Sequence, residues 1–397
     1  MACLSILFAI GMRTFNQTNQ MTENEWMANK KLVYLDSIRG LASFAVVLSH
    51  LALMYFPFLH NFSNAPITDD HAVQRWIHNS PFGFFYSGTA AVYIFFVMSG
   101  IVLSLSSARN HYPLAKNILS RYARLAIPAI ASCLLAYIVF TIVREFNLQQ
   151  ASNFINNETK IREPGLINAI YFGAVKAIVN LRGAIQYNPV LWTMAIEFYG
   201  SLLIFIAYKT RKPLLTMSLL TLLFLAINLH VFLGMLSFLV GMAIKERMPL
   251  TENNKISSLM IIVGLYFAGA HISSGSYALF TSVLGNNVYE ALNFLAGIMI
   301  VCGVMLNGYV QSWLSSKALV KLGELSFPLY LTHWSVILLF ANLFDRFNFH
   351  HPLAETLMIA LLSVLFSVFF VRIDQISIRI SGLIKRYSRA APGRSIR

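Results

Sequence analysis

Arg39 and His50 stand eleven positions apart in Tyr34-Leu35-Asp36-Ser37-Ile38-Arg39-Gly40-Leu41-Ala42-Ser43-Phe44-Ala45-Val46-Val47-Leu48-Ser49-His50, an otherwise largely apolar run. On a helix rising about 1.5 Å per residue, the guanidinium sits at one mouth and the imidazole roughly 16 Å further in. A neutral imidazole, with a pKa near 7, is suited to act as general base on a hydroxyl. Two more ionisable groups lie inside apolar runs: Glu197 in Leu191-Trp192-Thr193-Met194-Ala195-Ile196-Glu197, and His333 in Tyr330-Leu331-Thr332-His333-Trp334. Counted from Pro189 and from Lys321, they lie about 12 Å and about 18 Å deep, so all three groups share a level to within about one helical turn. Ionisable groups inside a membrane are expensive and ordinarily face a cavity or a partner.

Arg121 and Arg124, in Arg121-Tyr122-Ala123-Arg124-Leu125, share one helix face through their spacing of three. Guanidinium forks suit phosphate oxygens, so with Arg39 they can receive a phosphorylated ligand from the cytoplasm. Plainer readings stand beside each of these. A membrane-buried histidine can be a helix-contact residue, Glu197 can pair with a neighbour to join two helices, and interfacial arginines often only set topology. Phe95-Phe96-Val97-Met98-Ser99-Gly100 reads as an aromatic wall followed by a small pair that lets helices approach closely. His60, His71, His78, His350 and His351 read as solvated loop histidines without zinc-type spacing, and no metal site is expected. Neither a phosphate-cradling glycine loop, a Gly-x-Ser-x-Gly elbow nor a His-x-x-x-x-Asp signature occurs.

The elements that must hold these groups are membrane spans. Hydrophobic residues make up 57% of the 397 positions and charged residues 12%, where a soluble domain carries roughly 25% charged. Mean hydropathy is +0.63, with apolar runs along nearly the whole chain. An all-α, polytopic helical bundle follows, because helices satisfy their own backbone groups in lipid. Windows at about 33–56, 84–106, 122–143, 190–208, 213–228, 230–245, 257–273, 289–308, 324–343 and 353–373 predict about ten spans. With both termini inside, cytoplasmic segments hold 23 of the 30 Lys and Arg, and exterior segments seven. That bias favours N-in and C-in, and it accounts for the net charge of +14 without a nucleic-acid partner. The three cysteines are isolated and form no disulfide framework.

Residues 1–31 read as a disordered cytoplasmic segment, 32–373 as the membrane domain and 374–397 as a basic cytoplasmic tail. The stretch 144–189 faces the exterior, and its apolar piece, Leu166 to Asn180 with Lys176 inside, is expected to lie on or dip into the membrane rather than cross it. No internal repeat of the transporter kind is visible.

In order, Arg39-x10-His50 following Leu35-Asp36, Phe95-Phe96-x-x-Ser99-Gly100, Arg121-x-x-Arg124-Leu125, Leu191-Trp192-Thr193 with Glu197, and Tyr330-Leu331-x-His333 form a set that resembles the acyltransferase family 3 membrane proteins over nearly the full chain. The resemblance implies transfer of an acyl group, most often acetyl from acetyl-CoA, to a hydroxyl of a carbohydrate or other small acceptor. Taken with the geometry above, it assigns His50 and Glu197 to catalysis and Arg39, Arg121 and Arg124 to the CoA phosphates. Asp36, Ser99, Trp192 and His333 take supporting places. The pantetheine arm, on the order of 15 to 20 Å, matches the Arg39 to His50 separation. A second acidic residue follows Glu197 in many polysaccharide-modifying members, whereas Phe198-Tyr199-Gly200 follows here, so that motif assigns no acceptor class. The expected partners are acyl-CoA, a glycan or glycolipid hydroxyl acceptor and membrane lipids, and the expected place is the cell (inner) membrane. The rival from another class is a proton-coupled secondary transporter using the same intramembrane His and Glu groups; a third is a non-catalytic membrane partner or sensor.

Overall fold

The first apolar run folds as helix α1 (Val33–Tyr55), carrying both Arg39 and His50. In the computed structural model, described for residues 33–109, 112–146, 148, 164–182, 186–247 and 252–386, the later runs give α2 (Gly88–Arg109), α3 (Leu114–Glu145), α4 (Leu166–Val179), α5 (Pro189–Ala207), α6 (Pro213–Ala226), α7 (Leu229–Arg247), α8 (Asn254–Ala268), α9 (Val288–Leu306), α10 (Ser326–Arg346) and α11 (Pro352–Arg386). No strand occurs among the described residues. The expected segment 1–31 lies outside them.

Eight spans are long and apolar enough to cross a membrane: α1, α2, α3, α5, α7, α10, α11, and α9 together with the turns leading into it from Gly275. The chain is an all-α polytopic membrane bundle. Two of the ten predicted windows form the shorter helices α6 and α8, about 21 Å long at 1.5 Å per residue. The hydropathy windows ran past the helix ends: α6 closes with a 3-10 turn, Leu223–Ala226, and α8 stops at Ala268. The last helix, by contrast, continues past 373 to Arg386, so most of the expected tail is helical where it is described.

Two hydrophobic cores organise the bundle. One, around Phe96, Ile204, Met235 and Phe238, joins α2, α5, α6, α7 and α9. The other, around Val47, Leu51, Leu329 and Ile337, joins α1, α3, α10 and α11. Close approach within the first depends on missing side chains. A Cβ on Gly100 would lie 2.6 Å from the Phe238 carbonyl, and one on Gly241 would lie 2.9 Å from Gly100 Cα. The small residue after the Phe95-Phe96 wall therefore does seat α2 on α7.

Helix α4 dips into the bundle and returns. A Cβ on its Gly173 would strike the backbone of Ile130 in mid-α3, and Tyr122 Oη donates to the Ala174 carbonyl at 3.0 Å. A single phenol ties the two ends of the dip together: Gly165 N–H donates to Tyr187 Oη at 2.9 Å, and that hydroxyl donates back to the Gly165 carbonyl at 2.9 Å. The chain does not cross here. The returning stretch Asn180–Arg182 lines a cavity, the setting in which irregular backbone is tolerated at membrane depth.

His60 and His78 correct the expectation of solvated loop histidines, being 1% and 2% exposed. His60 Nδ1 lies 3.0 Å from His271 Nε2, His271 Nδ1 donates to the Gly269 carbonyl at 3.0 Å, and Ser49 Oγ lies 3.2 Å from His60 Nε2. His78 bridges Leu59 O and Ser273 Oγ, each at 3.0 Å. These contacts staple the loop after α1 to the loop after α8. Burial holds His60 well below the usual histidine pKa and His271 down to about 4. His71 is half-buried, and His350 and His351 are exposed as expected.

Candidate functional site

The site lies at the seam between the two cores. An inner cavity of about 90 Å³ is lined by Arg39 of α1, Ser99 of α2, Arg121 and Arg124 of α3, Glu197 of α5 and Tyr330 of α10. An outer cavity of about 410 Å³ is lined by His50, Arg182, Trp192, Asn228, His230 and Trp334. The first gathers residues from the starts of α1, α3 and α10, the second from the far end of α1 and the starts of α5 and α7. They occupy opposite halves of the bundle.

His50, on the wall of the outer cavity, meets the fully buried His333. His50 Nδ1 lies 3.0 Å from His333 Nε2, the rings stack with centroids 5.1 Å apart, and Trp334 packs edge-on to His50 at 5.6 Å. The direction of this bond is fixed by a peptide group. His333 Nδ1 lies 3.0 Å from the carbonyl of Leu329, which only accepts, so in the neutral ring Nδ1 carries the hydrogen and Nε2 the lone pair. His50 Nδ1–H therefore donates to His333, and His50 presents its own lone pair at Nε2. Tyr330, which lines the inner cavity, has its ring 6.0 Å from His333; its hydroxyl donates to the Val190 carbonyl at 2.9 Å and lies 3.0 Å from Thr193 Oγ1.

Glu197 does not touch His50. Its carboxylate is paired with the Arg121 guanidinium, which also donates through Nε to Ser201 Oγ at 2.8 Å. The ring partner of His50 is His333, and Glu197 joins α5 to α3, the plainer of the two places expected for it. Arg124 is likewise engaged, with Asp374 and with Ser377 Oγ at 2.7 Å, its guanidinium 5.1 Å from the centre of the Phe327 ring. Arg39 is 39% exposed and faces Asp36 at 3.8 Å, a loose, solvated pair. Lys385 adds a cation beside the Tyr112 ring at 5.9 Å, and Lys209 Nζ donates to the Tyr112 carbonyl at 2.9 Å.

The outer cavity holds a group that the sequence reading passed over. His230 Nδ1 donates to Glu290 Oε1 at 3.0 Å, Tyr93 Oη donates to Glu290 Oε2 at 2.6 Å, and the Trp192 ring packs 4.4 Å from His230. The available signal was that His230 and Glu290 are ionisable residues at the starts of two apolar windows. No cluster of three or more His, Cys, Asp or Glu able to hold a metal occurs among the described residues.

The described residues thus form an all-α membrane bundle with two polar-lined cavities and a pair of hydrogen-bonded imidazoles, one of which lines the outer cavity. A family model described as an acyltransferase domain matches residues 32–372, and the chain belongs to acyltransferase family 3. No curated protein and no solved structure matches the chain.

Proposed function

We propose that this membrane acyltransferase moves an acyl group, acetyl above all, from cytoplasmic acyl-CoA to a hydroxyl of a cell-surface carbohydrate or its lipid-linked precursor. The observation that carries this reading is the hydrogen-bond polarity of the imidazole pair, which makes Nε2 the accepting nitrogen of His50 on the wall of the outer cavity. At about 90 Å³ the inner cavity suits a thin chain rather than a nucleotide, which needs the several hundred Å³ of an ordinary ligand pocket. The pantetheine arm occupies it, and the phosphates stay at the mouth with Arg39, the least engaged of the three arginines. Arg121 and Arg124, paired to carboxylates, hold the walls and face the donor with their remaining N–H groups. The acceptor takes the outer cavity, whose 410 Å³ is of ligand size.

In the reaction, His50 Nε2 takes the proton of the acceptor hydroxyl as the oxygen attacks the thioester carbonyl. The Nδ1 proton of His50 is at the same time drawn toward His333 Nε2, so the charge is shared over two rings. The tetrahedral intermediate collapses, the C–S bond breaks, the ester remains on the acceptor and the proton leaves with CoA as its thiol. The experiment is release of free CoA and of acylated acceptor by purified protein. His50→Ala is expected to lower turnover by about 10² to 10⁴, the usual contribution of a general base; full activity at normal protein level eliminates the mechanism.

A further inference from the structure

The outer cavity carries a second imidazole, and its surroundings differ from those of a helix-joining histidine. Glu290 accepts two hydrogen bonds, from Tyr93 Oη and from His230 Nδ1, which joins α2, α7 and α9 at one carboxylate. A purely structural link of this kind would be sealed, but the side chain of His230 is 31% exposed and lines the same cavity as His50. The carboxylate fixes the tautomer: Nδ1 bears the hydrogen, and the lone pair sits at Nε2, on the edge of the ring away from Glu290. Trp192 supports the ring from the side, and Asn228, whose Oδ1 caps α7 by accepting from Val231 N–H at 2.8 Å, adds an amide to the same wall.

Two neutral imidazoles on one cavity therefore each present an accepting nitrogen. His50 Nε2 has a use in the reaction proposed above. We propose that His230 Nε2 accepts a hydrogen bond from a second, non-reacting hydroxyl of the same acceptor, so that the outer cavity selects compounds bearing at least two hydroxyls and rejects monohydric alcohols, sterol-like or fatty. The inference rests on the acyltransferase reading for the word acceptor, but the binding it describes does not need turnover. His230 is a binding residue; Glu290 is a positioning residue that acts through it. A site built to pair a hydroxyl discriminates against the analogue lacking it, because the nitrogen that the bound compound covers is left unsatisfied.

The test uses the full-length protein in nanodiscs with acetyl-CoA and four compounds: methyl hexopyranosides, their monodeoxy analogues, inositol and cyclohexanol. Binding is read by saturation-transfer NMR and turnover by free CoA. Wild-type protein is expected to bind polyols and not cyclohexanol, and one monodeoxy analogue to lose affinity about tenfold. His230→Ala should abolish that difference and raise the KM for the polyol about tenfold while leaving the KM for acetyl-CoA as it was. Glu290→Gln, whose amide donates to Nδ1 and so moves the ring hydrogen to Nε2, should also erase the difference. Retained discrimination in His230→Ala, or failure of every polyol to bind wild-type protein, overturns the proposal. Polyol binding that depends on His230 without CoA release would leave the proposal standing and defeat the acyl-transfer reading instead.

Discussion

His50 and His333 form one hydrogen-bonded unit, with the Leu329 carbonyl setting the donor and acceptor nitrogens of both rings. Removing the second ring leaves the first with a proton on either nitrogen. His333→Ala is expected to lower kcat about 10- to 100-fold, as loss of an orienting partner does, with little change in KM for acetyl-CoA. Arg121 and Glu197, with side chains 17% and 12% exposed, form a nearly buried ion pair whose rupture strands a charge. Glu197→Ala should therefore destabilise the protein by about 3–5 kcal/mol, read as a lowered melting temperature in detergent, and Arg121→Met combined with Glu197→Leu should recover much of it. At this scale the sequence was legible in part. Depth counting placed His50, Glu197 and His333 at one level, since helical rise is fixed by geometry. Which of them would meet depends on the rotation of α1, α5 and α10 about their axes, and that is decided by packing at a distance.

At the scale of the helix, contact is limited by what is missing from the side chains. The carbonyls of Val97 and Phe238 occupy the places where Gly241 and Gly100 would carry a Cβ. Gly241→Leu forces α2 and α7 apart where no flexible side chain can yield, and should abolish the folded, monodisperse protein on size-exclusion chromatography. Hydropathy found nearly every helix, because apolar length is a property of local sequence. It overextended α6 and α8, since a turn of Leu and Phe is as apolar as a helix, and it ended α11 at 373 although the amphipathic stretch beyond continues helically to Arg386. The dip of α4 was legible from its length and Lys176, but its closure through Tyr187 was not, because a phenol in a polar loop gives no sign of its partner.

Over the whole molecule, the histidine staple couples stability to pH. His60 and His271 are neutral in the folded protein, with pKa values held well below normal and at about 4, respectively. The unfolded chain takes up their protons near pH 6.5, so it binds more protons than the folded form between about pH 6.5 and 4, and stability falls as pH falls through that window. Full stability is present above about 6.5, and the slope reaches about 2.7 kcal/mol per pH unit while both rings titrate only in the unfolded chain. Melting temperature measured from pH 7.5 to 5 should decline, and the decline should flatten in a His60→Gln, His271→Gln variant. These rings looked like loop residues in the sequence, since the contact between residues 60 and 271 spans most of the chain.

On the proposed acyl-CoA reading, the 90 Å³ inner cavity is a gauge. A bore wide enough for an extended arm, and walled by Phe95, Phe96 and Phe327 with two carboxylate-bound arginines, leaves no room for a long tail travelling ahead of the thioester. Acetyl- and propionyl-CoA should be consumed at similar rates and octanoyl-CoA at less than about a hundredth of them, measured as free CoA released. Size would then be sorted at the door, before any imidazole is reached.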